Sequence, residues 1–187
     1  MSIRTKHNGV NTSYFVTFTC YKWYSLISEA DAYQAFYKWF DYLKTIDVQV
    51  FGYVIMPNHF HALIHIPIDC LKNLNQIVSN GKRFIAYAII ANLEKHEKEA
   101  ILQGLFESTT VREKDKGQKH KVFKDSFDAI EILSVDMLTT KLEYMHRNPC
   151  QGKWDLVKDY TQYPYSSADF YENEAENTWI TDYREIY

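Results

Sequence analysis

Three of the chain's seven histidines fall in one stretch, "MPNHFHALIHI" (56–66), at positions 59, 61 and 65. In an extended strand alternate residues share a face. His59, His61, Leu63 and His65 therefore point one way, and Phe60, Ala62, Ile64 and Ile66 point the other. The second set suits a hydrophobic core. The first set places two imidazoles side by side, about 7 Å apart at Cα, so both can converge on one ion beside the sheet. Imidazole commonly binds transition metals, and added oxygen ligands would suit a harder ion. Two histidines rarely complete a site, so a third ligand must come from elsewhere. The same pattern also arises where imidazoles merely face solvent. His65, two same-face positions beyond His61, reads as structural or exposed rather than as a ligand.

A second stretch, "SVDMLTTKLEYMHRNPCQGKW" (134–154), carries complementary chemistry. Read as a helix, it buries Leu138, Leu142 and Met145 at i, i+4 and i+7. Lys141, Tyr144 and Asn148 lie on a different stripe, at i, i+3 and i+7. A tyrosine can act as a covalent nucleophile. An asparagine offers a carbonyl oxygen that a hard cation accepts. In isolation Tyr144 is one of 15 tyrosines and reads equally well as a packing residue.

These side chains need elements to position them. "SYFVTFTCYKW" (13–23) is rich in β-branched and aromatic residues and reads as a strand. Ser28 reads as an N-cap, and Ala32, Phe36, Phe40 and Leu43 keep helical spacing, predicting a helix over 29–46. Residues 47–55 and 59–66 form a hairpin around the turn residues Pro57 and Asn58. A helix follows from Leu71 to about His96, across Gly81. The charged segment 98–121 lacks periodicity, and its middle reads as a flexible surface loop. A short strand is expected at about 121–127. Ser134 then caps a helix that ends near Asn148, because Pro149 disfavours helical geometry in the residue before it. The order β-α-β-β-α-β plus a further helix is that of an α+β, ferredoxin-like split-βαβ fold. In it an antiparallel sheet carries two helices on one face, and an additional C-terminal helix holds the tyrosine.

Composition narrows the class. The chain has 187 residues, 46% hydrophobic and 16% aromatic, which fits one globular domain. No apolar run is long enough to span a membrane, and the first residues lack a signal-type apolar core. Cys20, Cys70 and Cys150 are odd in number and widely spaced, which fits a reducing cytoplasm better than a disulfide framework. Net charge is −3. Residues 169–187 hold six acidic residues against Arg184 alone, a net of −5, which leaves 1–168 at +2. The chain thus reads as a domain over 1–168 with an acidic C-terminal extension over 169–187. The body can still present a local basic face.

Taken together, "MPNHFHALI" after a hairpin turn, "YMHRNPCQGKW" some eighty residues later and "YPYSSADF" beyond it resemble the IS200/IS605-like single-tyrosine transposases of the HUH class. The Tyr-x-His-x-Asn-Pro form is most similar to the REP-associated tyrosine transposase branch. The resemblance runs from "YFVTFTC" to "YPYSSADF", and the family's ferredoxin-like fold agrees with the element order above.

The resemblance implies roles. His59 and His61 match the family's HUH histidines, with Phe60 as the intervening hydrophobic residue, and would bind Mg²⁺ or Mn²⁺. Asn148 matches the third, polar ligand, and Tyr144 the nucleophile. The implied partner is single-stranded DNA with an imperfect palindromic hairpin. The implied reaction is metal-dependent cutting and strand transfer through a 5′-phosphotyrosine intermediate, in a cytoplasmic, nucleoid-associated prokaryotic protein. A homodimer is an open option, since relatives occur as monomers and as dimers.

Candidate DNA contacts are Arg4, Lys82, Arg83, Lys141 and Arg147, with the basic residues of "REKDKGQKHK" and Lys6 and His7, although any of these also reads as a solvated charge. Lys141 is further placed to ease the loss of the Tyr144 proton. Relatives often carry Arg shortly after Asn-Pro; here the run is Cys150-Gln151-Gly152-Lys153. Two other readings compete. One is a domesticated hairpin-binding protein that does not cut, and the other is a metal-dependent hydrolase that uses water.

Overall fold

The computed structural model describes residues 11–187. Its framework is a four-stranded antiparallel sheet in the order β2-β3-β1-β4. The strands are β1 (Thr12–Thr19), β2 (Gln49–Ile55), β3 (His59–Ile66) and β4 (Asp128–Ile132). This is the expected α+β, split-βαβ arrangement. β3 lies between β1 and β2, so the histidine strand is central. Both of its faces are covered, and every residue of β3 is buried.

The first face packs on α2 (Tyr33–Lys44) and α3 (Leu74–Lys95). Tyr14, Val16 and Phe18 of β1 and Phe60, Ala62 and Ile64 of β3 meet Phe36, Trp39, Phe40, Ile77 and Ile85 there. Phe60 alone lies within about 6 Å, ring to ring, of Phe18, Phe36, Trp39 and Phe40. α2 and α3 approach closely because Gly81 leaves room for the Trp39 indole; a Cβ there would sit 2.3 Å from the ring.

The second face packs on α6 (Val135–His146), which contributes Leu138, Leu142 and Met145 against Phe15, Phe51, Val54 and Leu63. The predicted helical stripe therefore buries as read. Gly52 sits at an irregularity in the β2–β3 pairing, and its missing side chain admits Leu142 and Met145.

Several boundaries differ from the sequence reading. β1 stops at Thr19, and Tyr21–Trp23 form a 3-10 turn instead of continuing the strand. The helix expected over 29–46 is two pieces, α1 (Leu26–Glu29) and α2. Asp31 takes a left-handed φ of 45° between them, so Ser28 lies inside α1 and is no cap. α3 starts at Leu74, where Asn73 and Gln76 form a reciprocal capping box, and not at Leu71. The segment 98–121 holds α4 (Glu99–Glu107) and the short α5 (Val111–Asp115), the latter started by a second capping box, Thr110 with Glu113. The fourth strand lies at 128–132; within 121–127 only Phe123 makes a β-bridge, to Cys20. α6 begins after Ser134, whose hydroxyl accepts from the Met137 amide.

Residues 165–181, including α7 (Ala168–Asn173), meet β2 at several points. The Ile55 amide donates to Tyr165 O, the Ser167 amide to Tyr53 O and the Thr181 amide to Val50 O. Trp179 stacks on Tyr37 at 4.3 Å, and the Tyr187 hydroxyl meets Ser13 Oγ. The last nineteen residues thus rest on the body of the domain. All three cysteines are free, and among the described residues no helix is long and apolar enough to cross a membrane.

Candidate active site

The site forms where the start of β3, the end of β1 and the C-terminal end of α6 meet. Pairing register places Thr17 of β1 directly opposite His61, and Thr19 opposite His59. Side chains opposite each other share a face, so Thr17 Oγ1 meets His61 Nδ1 at 2.6 Å. Phe15, two residues before Thr17, stacks on the His61 ring at 5.3 Å. His59 and His61 sit 4.9 Å apart, ring to ring.

The hydrogen-bond network orients His59. The Asn58 amide nitrogen donates to Trp23 O at 3.0 Å, so its Oδ1 is the acceptor towards His59 Nδ1, 2.6 Å away. The His59 proton therefore sits on Nδ1 and its lone pair on Nε2. The Thr17 hydroxyl can accept from His61 Nδ1 in the same way, which would put the second ring's lone pair on Nε2 as well. Burial pulls His59 down to about pKa 4, opposed by Asn148 and helped by the Lys153 charge. Burial, with His59 and Lys141, takes His61 to about 3. Both rings are neutral near pH 7, which is the form that ligates a metal.

Asn148 follows α6 in a 3-10 turn with Pro149. Its side chain hydrogen-bonds the His59 ring. Tyr144 lies one turn earlier on α6 and is 50% exposed, with its ring 5.8 Å from His61 and 6.2 Å from Phe15. The Lys141 ammonium stands 5.4 Å from the Phe15 ring and 6.0 Å from the Tyr144 ring. His59, His61, Asn148, Tyr144 and Lys141 thus converge from two distant stretches of sequence. No group of three or more His, Cys, Asp or Glu able to hold a metal occurs among the described residues. A cation here would use two imidazole nitrogens and one amide oxygen, a set that accepts Mg²⁺ or Mn²⁺ once phosphate and water oxygens complete the shell.

The remaining candidates are spread out. Lys82 is half-buried, and its ammonium donates to the carbonyls of Lys124 (2.7 Å), Ser126 (3.1 Å) and Asp125 (3.4 Å). Burial takes its pKa down to about 8. Lys82 and the exposed Arg83 line a groove of about 680 Å³ between α3 and residues 116–125, on the other face of the sheet from α6. Arg147 is exposed, with its guanidinium 5.1 Å from the Tyr160 ring. Arg4, Lys6 and His7 lie outside the described residues. His65 is buried, bonded to Ser13 Oγ at 2.9 Å and stacked near Phe51, which makes it structural.

Four residues at the site were not singled out from sequence. Thr17 and Asn58 orient the two histidines. Trp23 and Trp154 flank His59, with ring centroids 5.9 and 6.1 Å from it. Lys22 and Trp23 both take left-handed φ, 50° and 60°. Each such non-glycine residue costs of the order of 1–3 kcal/mol and marks a place where the surroundings over-determine the backbone. Motif residues also divide by role. His146 faces away from the site and bonds Ser167 Oγ at 2.8 Å, tying α6 to the 163–168 segment on β2.

No protein-family model matches the chain, and no curated protein does. Among solved structures, the chain is similar to a REP-associated tyrosine transposase bound to a REP hairpin. The TM-score is 0.60 at 16% identity, over 97% of this chain and 93% of that one. A candidate transposase from Deinococcus radiodurans R1 aligns over 78% of this chain and 97% of that one at 9% identity, with a TM-score of 0.36. The chain shares the fold of the first structure.

Proposed function

We propose that this protein is a divalent-metal-dependent transesterase acting on single-stranded DNA beside a hairpin, with Tyr144 as nucleophile. The observation that carries the reading is the convergence of a half-exposed tyrosine on two oriented, neutral imidazoles and an asparagine amide. The hairpin partner is supported by the fold shared with a transposase that was solved on a REP hairpin.

His59, His61 and Asn148 would hold the ion, Mg²⁺ or Mn²⁺. A divalent cation there supplies Lewis-acid stabilisation to the non-bridging oxygens of the scissile phosphate. The chain does the rest. The Tyr144 oxygen attacks phosphorus, a Tyr–O–P bond forms, and the bond from phosphorus to the 3′-oxygen breaks. The phenol loses its proton and the leaving 3′-oxygen gains one. One phosphoester replaces another, so a second 3′-OH can reverse the step and join strands without an energy source. The Lys141 ammonium, 6.0 Å from the Tyr144 ring, is placed to meet the phosphate beside the nucleophile. Phe15 covers the His61 ring and keeps water from that side.

The test uses purified protein and labelled single-stranded DNA carrying hairpins from the flanks of its gene, with Mg²⁺ or Mn²⁺. A denaturing gel should show a covalent adduct that requires metal and is absent in Tyr144→Phe and His61→Ala. Hairpin binding without any adduct would favour a non-cutting binder. Neither binding nor adduct with several flanking hairpins would overturn the reading.

A further inference from the structure

We propose that Trp23 and Trp154 form a clamp that stacks on an unpaired base next to the scissile phosphate, with Lys124 and Lys153 holding the flanking phosphates. The inference deepens the functional reading above and rests on it for the identity of the strand, but not for the chemistry of the clamp.

The two indoles arrive from unrelated parts of the chain. Trp23 ends the 3-10 turn after β1, and Trp154 lies in the loop beyond Asn148. Both rings stand about 6 Å from His59. The Lys153 ammonium lies 4.9 Å from the Trp154 ring and 5.7 Å from the Trp23 ring, so it links them. The Lys124 ammonium stands 4.7 Å from the Trp23 ring. Neighbouring acids are already engaged, Asp125 with Lys121 and Asp155 with Lys158. The positive charge around the indoles is thus left to an outside anion.

Packing does not account for Trp23. Its side chain is 51% exposed, yet its backbone and that of Lys22 are held in the left-handed region. Three hydrogen bonds tie this turn to other segments: the Cys20 amide to Asn58 O, the Tyr21 amide to Val122 O, and the Asn58 side chain to Trp23 O. The last of these bonds belongs to the same asparagine that sets the His59 proton. Presentation of the Trp23 indole and orientation of His59 are therefore built by one residue.

A flat π-face flanked by cations is the recognition chemistry of a single-stranded nucleotide: the base stacks and the phosphates meet the ammoniums. Stacking needs no base edge, so the clamp should accept any base and reject an abasic position. As a base enters, the Lys153 ammonium leaves the indole faces for a phosphate.

The experiment compares a labelled twelve-nucleotide oligo-dT with an abasic strand of equal length, by fluorescence anisotropy at fixed salt. Tyr144→Phe serves as the parent, so that no covalent product interferes. The parent should bind oligo-dT about tenfold or more tighter than the abasic strand. Adding Trp23→Ala or Trp154→Ala should remove most of that preference and leave abasic binding unchanged. Trp23→Phe should restore much of it. Lys153→Gln should weaken both strands alike and flatten the salt dependence. Circular dichroism of each variant controls for folding, and the phenylalanine variant keeps the test valid if Trp23→Ala is unstable. The inference is overturned if Trp23→Ala weakens both strands equally, or neither. Separate adduct assays on the chain with Tyr144 intact distinguish the two claims. Adduct formation with no base preference would sink the clamp and spare the transesterase. Base preference with no adduct would do the reverse.

Discussion

The two faces of β3 are built on opposite principles. On the α2/α3 side, Phe60, Ala62 and Ile64 sit in a large core where each side chain has many interchangeable neighbours. On the α6 side, His59, His61 and His65 are just as buried, but each is held by one or two specific polar partners: Asn58 and Asn148, Thr17, and Ser13. One strand thus carries redundancy on one face and specificity on the other. The first face supplies stability and the second spends some of it, since burying a neutral imidazole requires a hydrogen bond to offset lost water.

Four measurements would break or sharpen this contrast. Phe60→Ala should cost about 3–5 kcal/mol in chemical denaturation, while the protein that remains folded still forms the metal-dependent adduct. A loss below about 1 kcal/mol, or an adduct defect without a stability defect, would erase the distinction between the faces. His146 comes next. Burial holds it at about pKa 4 in the folded state, against 6.5 for the free side chain. The unfolded chain therefore binds the extra proton first. The associated stability is complete above pH 6.5, falls as pH drops, and is gone once pH passes below about 4. That is of the order of 3 kcal/mol. His146→Gln should keep the bond to Ser167 and flatten the acid limb by about that amount; an unchanged limb would show that His146 is hydrated.

Thr17→Val removes the partner of His61 with little change in volume. It should lower Mn²⁺ affinity about 10–100-fold, measured by calorimetry, and cost about 1–3 kcal/mol of stability because the buried His61 Nδ1 loses its partner. A stability loss with unchanged Mn²⁺ binding would place Thr17 in the structural set instead. The smallest effect is expected from Gly52→Ala. The new Cβ would meet Leu142 Cδ1 and Met145 Cε, each at 2.5 Å. Both are ends of flexible chains that can swing aside, so about 1 kcal/mol should suffice. A cost several times larger would mean that the α6 face is as tightly packed as the other.

Legibility in the sequence followed the same division. β3 was readable to the residue because its alternation is strict and Pro57 and Asn58 mark its start. α6 was readable because Ser134 and Pro149 bracket it. The helices within 98–121 were hidden by charge. Thr110 and Glu113 at capping-box spacing, with Leu105 buried and Ile101 and Leu102 partly so, were the signal that could have revealed them. β4 was misplaced because it is short and mostly exposed, with Asp128 and Glu131 interrupting the apolar pattern. At the site, the residue types of His59, His61, Tyr144 and Asn148 announce chemistry on their own. Thr17, Asn58, Trp23 and Trp154 do not. They matter only through pairing register and chain crossings that no local pattern encodes.

The strip of chain laid along β2 has a consequence for solubility. A bare outer strand offers a row of unused amides and carbonyls on which other chains can extend a sheet. Here residues 165–181 satisfy several of those groups through Val50, Tyr53 and Ile55. The opposite margin is β4, five residues long and carrying two acids, which repels a second copy of itself. Fibrillar growth from the β2 margin would first require peeling away the C-terminal residues, so trimming them should promote aggregation and at the same time release Ser13, the partner of His65, from Tyr187.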